Sequence, residues 1–219
     1  MKVAVVGGTG DLGFGLVLRL ARAGVEVVIG SRDEGRAWQA ARRAVEILGD
    51  ALVSGASNRH AGKGCKVVFF TIPYEALAPI VEEVAAGLEK DCIAVSCIVP
   101  PAGVDGSAAE HMAGHLPKSA RVVAALHTVS ASIMQDLDRA IDSDTFVFGD
   151  GFEEKKTVAG ILRLLPGLRP VDGGPLKNSK YGEVFTRFLI GVNKRYGMGY
   201  AGLKVTGLRD DDVWRKWGF

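Results

Sequence analysis

The chain has 219 residues, a net charge of +2, 47% hydrophobic and 24% charged residues, the make-up of an ordinary globular enzyme. So small a positive excess argues against nucleic acid or an anionic membrane surface as partner. No run reaches the ~20 apolar residues of a membrane span, and the length allows one domain or one and a half.

The first 36 residues read as an apolar strand, a glycine turn, an apolar-striped helix, a second strand and a basic hook. Gly8-Thr9-Gly10-Asp11-Leu12-Gly13 fits GxGxxG directly after Val3 to Val6. That motif is weak alone, but between a strand and a helix it is the dinucleotide fingerprint. Gly8 makes the tight turn, Gly10 lets backbone approach a pyrophosphate and Gly13 lets the helix pack close. The helix start attracts phosphate with its free N–H groups and positive dipole end.

The second strand, Val25 to Ile29, ends in Gly30-Ser31-Arg32, with Arg36 a helical turn on. An NAD enzyme usually places an acidic residue here for the ribose 2′-OH. A hydroxyl and two guanidiniums suit a 2′-phosphate instead, which points to NADP. Asp33 and Glu34 fall where a helix opens and are read as capping.

A helix over Trp38 to Leu48 follows, then a small, polar stretch from Val53 to Gly64 expected to be a loop or short helix. Lys66 to Phe70 is a continuous apolar run, as a strand covered on both faces should be. It ends at Thr71-Ile72-Pro73-Tyr74, with Pro73 placed to start a helix running through Leu88. Cys92 to Ser96 is the next strand, stopped by Ile98-Val99-Pro100-Pro101. Residues 102–119 look like an excursion before the strand Arg121 to Leu126, which ends at His127. Thr145 to Phe148 is expected to be another.

After Gly151 the pattern changes to a helix over Glu153 to Leu165, a loop over Arg169 to Pro175, and a long helix ending at Tyr196. Its stripe of Tyr181, Val184, Phe185, Phe188, Leu189 and Val192 is ordinarily core, with a dimer seam as the alternative. The three cysteines, Cys65, Cys92 and Cys97, form no CxxC pair, and the chain enters its first strand within two residues. A reducing cytoplasm is therefore the expected location. His111 and His115 lack the Glu of HExxH; a solvated helix face is expected, with no metal site. His60 has no evident partner.

Alternating strands and helices imply an α/β fold, a Rossmann-type doubly wound parallel sheet with a small C-terminal helical domain. The expected division is 1–150 for NADP and 151–219 for the helical domain. Ligands in such a sheet lie outside the carboxyl ends of the strands. Topology therefore predicts that Thr9 to Leu12, Ser31-Arg32, Ile72-Pro73-Tyr74, Val99-Pro100 and His127-Thr128-Val129 converge. His127 could orient a ligand or bond the backbone.

With these segments in view, the chain resembles the coenzyme F420-dependent NADP reductases over nearly its whole length. The carrying stretches are GGTGDLGFGLVLRLARAGVEVVIGSR, TIPYE, ALHTV, GLRPVDGGPLKNS and GMGYAGLK. The resemblance implies hydride transfer between C5 of an 8-hydroxy-5-deazaflavin and C4 of nicotinamide. It implies NADP contacts at Thr9, Gly10, Asp11, Leu12, Ser31, Arg32, Arg36, Tyr74, Ala78, Val99 and Ala131. It places His127 and Val129 beside the two rings, Ala201 against the deazaflavin, and the chain in a homodimer. The tail from Thr206 to Phe219 departs from the family pattern; its aromatics are open to packing on the deazaflavin end, on a second subunit, or without function. Two ring systems exchanging a hydride need stacking and dryness rather than a protein acid, so no triad is expected. The competing readings are an NADP-dependent imine or ketone reductase and a non-catalytic NADP-sensing module.

Overall fold

The computed structural model describes residues 1–219. Its first half alternates β1 (Lys2–Val6), α1 (Asp11–Arg22), β2 (Glu26–Ser31), α2 (Glu34–Leu48), β3 (Val53–Ser57), α3 (Asn58–Ala61), β4 (Val67–Phe70), α4 (Leu77–Ala85) and β5 (Ile93–Ser96). The second half runs α5 (Ala108–Gly114), β6 (Arg121–Ala124), α6 (Ala131–Gln135), β7 (Ser143–Gly149), α7 (Phe152–Leu162), β8 (Leu168–Gly174), α8 (Ser179–Tyr196) and α9 (Asp210–Trp217).

All eight strands form one sheet in the order β3-β2-β1-β4-β5-β6-β7-β8. β1 lies at its heart, with Val3 opposite Val27 on one side and Val67 on the other. Successive residues of a strand face opposite sides, so Val3, Val5, Val67 and Phe69 join the core under α1, α2 and α7. Ala4, Val6, Val68 and Phe70 join the core under α4 and α5. That double burial explains the unbroken apolar runs.

Helix ends follow their local chemistry. Asp33 caps α2 by accepting the Arg36 backbone N–H at 3.1 Å, the capping role its position implies. Gly197 ends α8 in the left-handed region at φ 61°, where a side chain would be strained. The three cysteines are buried free thiols; burial raises Cys65 to about 11 and Cys92 to about 12. They act as small apolar fillers.

Five readings need correction. The stretch Val53–Ser57, expected to be loop or helix, is a strand paired with β2. Leu168–Gly174, read as a loop, is the edge strand β8 beside β7; Pro170 is tolerated because an edge strand has no ladder partner on one side. β7 runs antiparallel to β6, so the last two strands reverse the otherwise parallel sheet. Pro73 precedes a 3-10 turn, Tyr74–Ala76, rather than opening α4, and α4 ends at Ala85 rather than Leu88.

The α8 stripe is the fifth correction, for it is not core. Tyr181, Val184, Phe185 and Phe188 are exposed and only Leu189 is buried, while the face turned inward carries Ser179, Gly182 and Glu183. The tail aromatics do have a structural place. Trp217 is fully buried and donates its Nε1–H to Pro170 O at 2.6 Å, stacking on Phe152. Trp214 and Phe219 both lie near the Arg163 guanidinium.

Candidate active site

The glycine turn sits between β1 and α1 and is shaped by what a side chain would strike. A Cβ on Gly13 would lie 2.4 Å from Thr71 Oγ1 and 2.5 Å from Gly7 O, so only glycine lets the helix seat there. A Cβ on Gly10 would meet only Gly7 O, at 3.4 Å. Gly10 therefore has room in the free protein, and its lack of a side chain matters when a phosphate approaches. As N-cap it offers no side-chain acceptor, which leaves the first N–H groups of α1 free for an anion.

A cleft of about 540 Å³ opens beside this turn, walled by Thr9, Gly10, Ser31, Arg32, Arg36 and Ile72 among others. Arg32 and Arg36 are exposed along it. Asp33 also borders it, but its Oδ1 is engaged by the Arg36 backbone. A second cleft of about 280 Å³ shares Thr9, Gly10 and Arg36 and adds Asp11 and Arg43. Cationic hook, free helix N–H groups and adjoining volume fit a dinucleotide carrying a 2′-phosphate.

The carboxyl ends of β5 and β6 build the second half of the site. Leu126 takes a left-handed backbone at φ 70°, a strained state for a residue with a side chain. Thr145 Oγ1 supports it by accepting the Leu126 N–H at 2.7 Å. The sharp turn sends the His127 ring inward, where Nε2 donates to Ile98 O at 3.2 Å and ties β6 to β5. Nδ1 then carries the lone pair and has no partner. Burial lowers the imidazole to about 4, against the Ile98 hydrogen bond that raises it. His127 is neutral across the physiological range.

Three other contacts complete this region. Thr186 of α8 donates to His127 O at 2.5 Å, and Arg187 donates to Pro100 O at 2.8 Å. A Cβ on Gly202 would lie 2.6 Å from Ser143 Oγ and 3.6 Å from Thr128 O, so the Ala201–Gly202 stretch runs hard against the start of β7. Val129 and Ala201 are both buried, at 7% and 9% exposure.

The remaining residues singled out by the sequence divide. Ile72 and Pro73 line the larger cleft, whereas α4 and the turn before it present Ala76 and Ile80 there rather than Ala78. Gly8 and Leu12 sit behind the turn and line neither cleft. Tyr74 turns away from the cleft to share a 2.7 Å hydrogen bond with His111 Nδ1. His111 is thus no merely solvated residue, and His115 pairs with Glu82 at 2.8 Å. His60 shares a 3.0 Å hydrogen bond with Ser57.

Sequence reasoning missed two residues that position the site. Arg19 is buried at 3% exposure and donates to the carbonyls of Ile133, Met134, Asp136 and Arg139. It fixes α6, whose first residue is Ala131, onto α1. Asn193 accepts the Ala201 N–H through Oδ1 at 2.8 Å and the Met198 N–H through its carbonyl, folding the GMGYA stretch back over α8. An arginine inside an apolar helix stripe was the one available signal.

Comparison with known proteins adds four matches. Residues 2–100 match the family model described as NADP oxidoreductase, coenzyme F420-dependent. The F420-dependent NADP reductase of Methanocaldococcus jannaschii is 37% identical, over 95% of this chain and 99% of that protein. Its counterpart from Methanothermobacter thermautotrophicus is also 37% identical, covering 97% of each chain. Among solved structures, an Arthrobacter sp. FB24 protein described as a candidate F420-dependent NADP reductase superposes with a TM-score of 0.80. It is 26% identical, covering 94% of this chain and 99% of that one.

Proposed function

The chain belongs to the F420-dependent NADP reductase family, and on that premise we propose how its residues serve hydride transfer between coenzyme F420 and NADP. The observation that carries the reading is 37% identity sustained over 95% of the chain, with a cationic hook at Ser31, Arg32 and Arg36. When both are bound, the hydride passes between C5 of the deazaflavin and C4 of the nicotinamide.

The protein's own work is binding, orientation and exclusion of water. The turn from Thr9 to Leu12 and the α1 dipole hold the pyrophosphate, and Arg32 and Arg36 hold the 2′-phosphate. His127 and Val129 would lie beside the two rings, Val99 and Ala131 would contact NADP, and Ala201 would face the deazaflavin. In this division residues 1–150 bind NADP and 151–219 supply the far wall of the second pocket. Mixing the protein with NADPH and oxidised F420 should bleach both chromophores in equal amounts. A deazaflavin spectrum that never changes while NADPH binds would refute the assignment.

His127 is assigned a positioning role, since a hydride passed between two stacked rings calls for orientation rather than a protein acid, and burial holds its imidazole neutral by lowering it to about 4. His127→Ala is expected to slow turnover about 10-fold, the scale of a lost positioning contact. No step with a histidine midpoint near 6.5 should appear in the pH–rate profile of the native protein. A folded, cofactor-binding mutant with no turnover at all would show that the ring does chemistry.

The exposed apolar face of α8 supports a homodimer, since an outward stripe of Tyr181, Val184, Phe185 and Phe188 is unusual on a monomer. Phe188→Glu should shift sedimentation from dimer to monomer; a native chain that sediments as a monomer would remove this part. No helix is long and apolar enough to cross a membrane, and the free buried thiols suit a reducing cytoplasm.

A further inference from the structure

Asn58 stands directly after β3, whose Ser57 pairs in register with Ser31 of β2. It therefore lies one residue beyond the level at which the cationic hook begins. Asn58 borders the larger cleft, alongside Arg32, Ala76 and Ile80, yet the residue is only 1% exposed. Nδ2 donates to Glu83 Oε2 at 3.2 Å. A carboxylate only accepts, so the amine end is committed to Glu83 and the amide cannot reverse. Oδ1 is left over, shielded from water and without a donor. A buried acceptor with no partner is rare and costly, and the residue's place beside a binding cleft points to a donor that arrives with the ligand.

We propose that Asn58 is a specificity-determining residue of the nucleotide site, its Oδ1 accepting a hydrogen bond from the adenosine half of the dinucleotide. The proposal rests on the NADP reading of the hook. Two groups of that half can donate: the 6-amino group of adenine and the 3′-hydroxyl of the ribose, the 2′-oxygen being phosphorylated. Ala76 and Ile80 give the neighbouring wall an apolar surface suited to a base, which brings the base edge within the same neighbourhood as Asn58.

The test measures dissociation constants of NADP, its hypoxanthine analogue and adenosine 2′,5′-bisphosphate by calorimetry, without turnover. Asn58→Ala should bind NADP about 3–10-fold more weakly, as expected for one neutral hydrogen bond. If adenine is the donor, the native protein prefers NADP over the hypoxanthine analogue by a similar factor, and the mutant loses that preference. If the hydroxyl is the donor, the mutant weakens both alike; either result supports the proposal. Glu83 is exposed and outside the cleft, so Glu83→Ala tests the same idea should Asn58→Ala fail to fold. It frees the amide to rotate and should weaken NADP about 2-fold. Native affinity for NADP in every variant that folds would overturn the proposal. Arg32→Ala run in parallel separates the two failures: a bisphosphate affinity blind to Arg32 refutes the hook itself, whereas one that responds to Arg32 but not to Asn58 or Glu83 refutes this inference alone.

Discussion

Asp144→Ala is expected to destabilise the protein by about 3–5 kcal/mol, the range for stranding one member of a buried ion pair. Asp144 is fully buried on β7, and its two oxygens take Nε and Nη2 of Arg169 at 2.6 and 2.9 Å. One of them also accepts the Val205 N–H at 2.7 Å. Arg169, itself 7% exposed, reaches on with Nη1 to Leu208 O and Asp210, both at 2.8 Å. The Asp144 carboxylate is the main reason its guanidinium is held above the ordinary arginine range. A single carboxylate thus fastens the start of β8, the extended stretch after Ala201 and the entry to α9. Its loss should lower the melting temperature by about 6–20 °C, at about 2–4 °C per kcal/mol for a chain of this size. F420 affinity should fall more than NADP affinity, because the released segment carries Ala201. Asp210→Ala is the control: that side chain is 69% exposed, so its loss should cost no more than about 1 kcal/mol. Equal melting temperatures for the two mutants would refute the assignment of Asp144 as the fastening point.

What the sequence made legible follows the range of the interactions involved. The glycine turn, β1, β2, β4 and the Ser31-Arg32 hook are local patterns, each written in fewer than ten consecutive residues. β3 and β8 were hidden for a physical reason. Val-Ser-Gly-Ala-Ser and Leu-Arg-Pro-Val-Asp-Gly-Gly lie at the two edges of the sheet, where half-burial suffices and Pro or Gly is tolerated. Their residues consequently carry turn chemistry rather than strand chemistry. The α8 helix deceived in the opposite sense, since its period is helical but its apolar face points outward. Periodicity shows that a face exists and is silent on what covers it. Asn58, Arg19 and Asn193 depend on partners fixed only by folding: Glu83, four carbonyls around α6, and a backbone N–H beyond the helix end. The resemblance supplied residues such as Ala131 and Ala201, whose small side chains carry no chemistry that a first reading could recognise.

Arg32→Ala should cost NADP about 1.5–3 kcal/mol of binding relative to NAD, the span for hydrogen bonds to a charged group, or roughly 10–150-fold in the preference ratio. Three neighbours set the size of the effect. Ser31 Oγ lies 3.3 Å from the Asp33 N–H, which it accepts, holding the hook in a tight turn. Asp33 spends its Oδ1 on the Arg36 backbone as the cap of α2, which ties its carboxylate to the helix start. Arg36 remains in the mutant and limits the damage, which is why the loss should not exceed the upper end of that range. NAD affinity itself should move less than 2-fold, because no group contacting an unphosphorylated ribose has been removed. The difference should shrink as salt rises, since both guanidiniums are exposed and the Debye length falls from about 10 Å at 0.1 M to about 3 Å at 1 M. Matched affinities for NADP and NAD are the measurement, taken at both salt concentrations. A preference unchanged in Arg32→Ala would mean the 2′-phosphate is held elsewhere, and the second cleft, with Arg43 beside Arg36, would be the place to look.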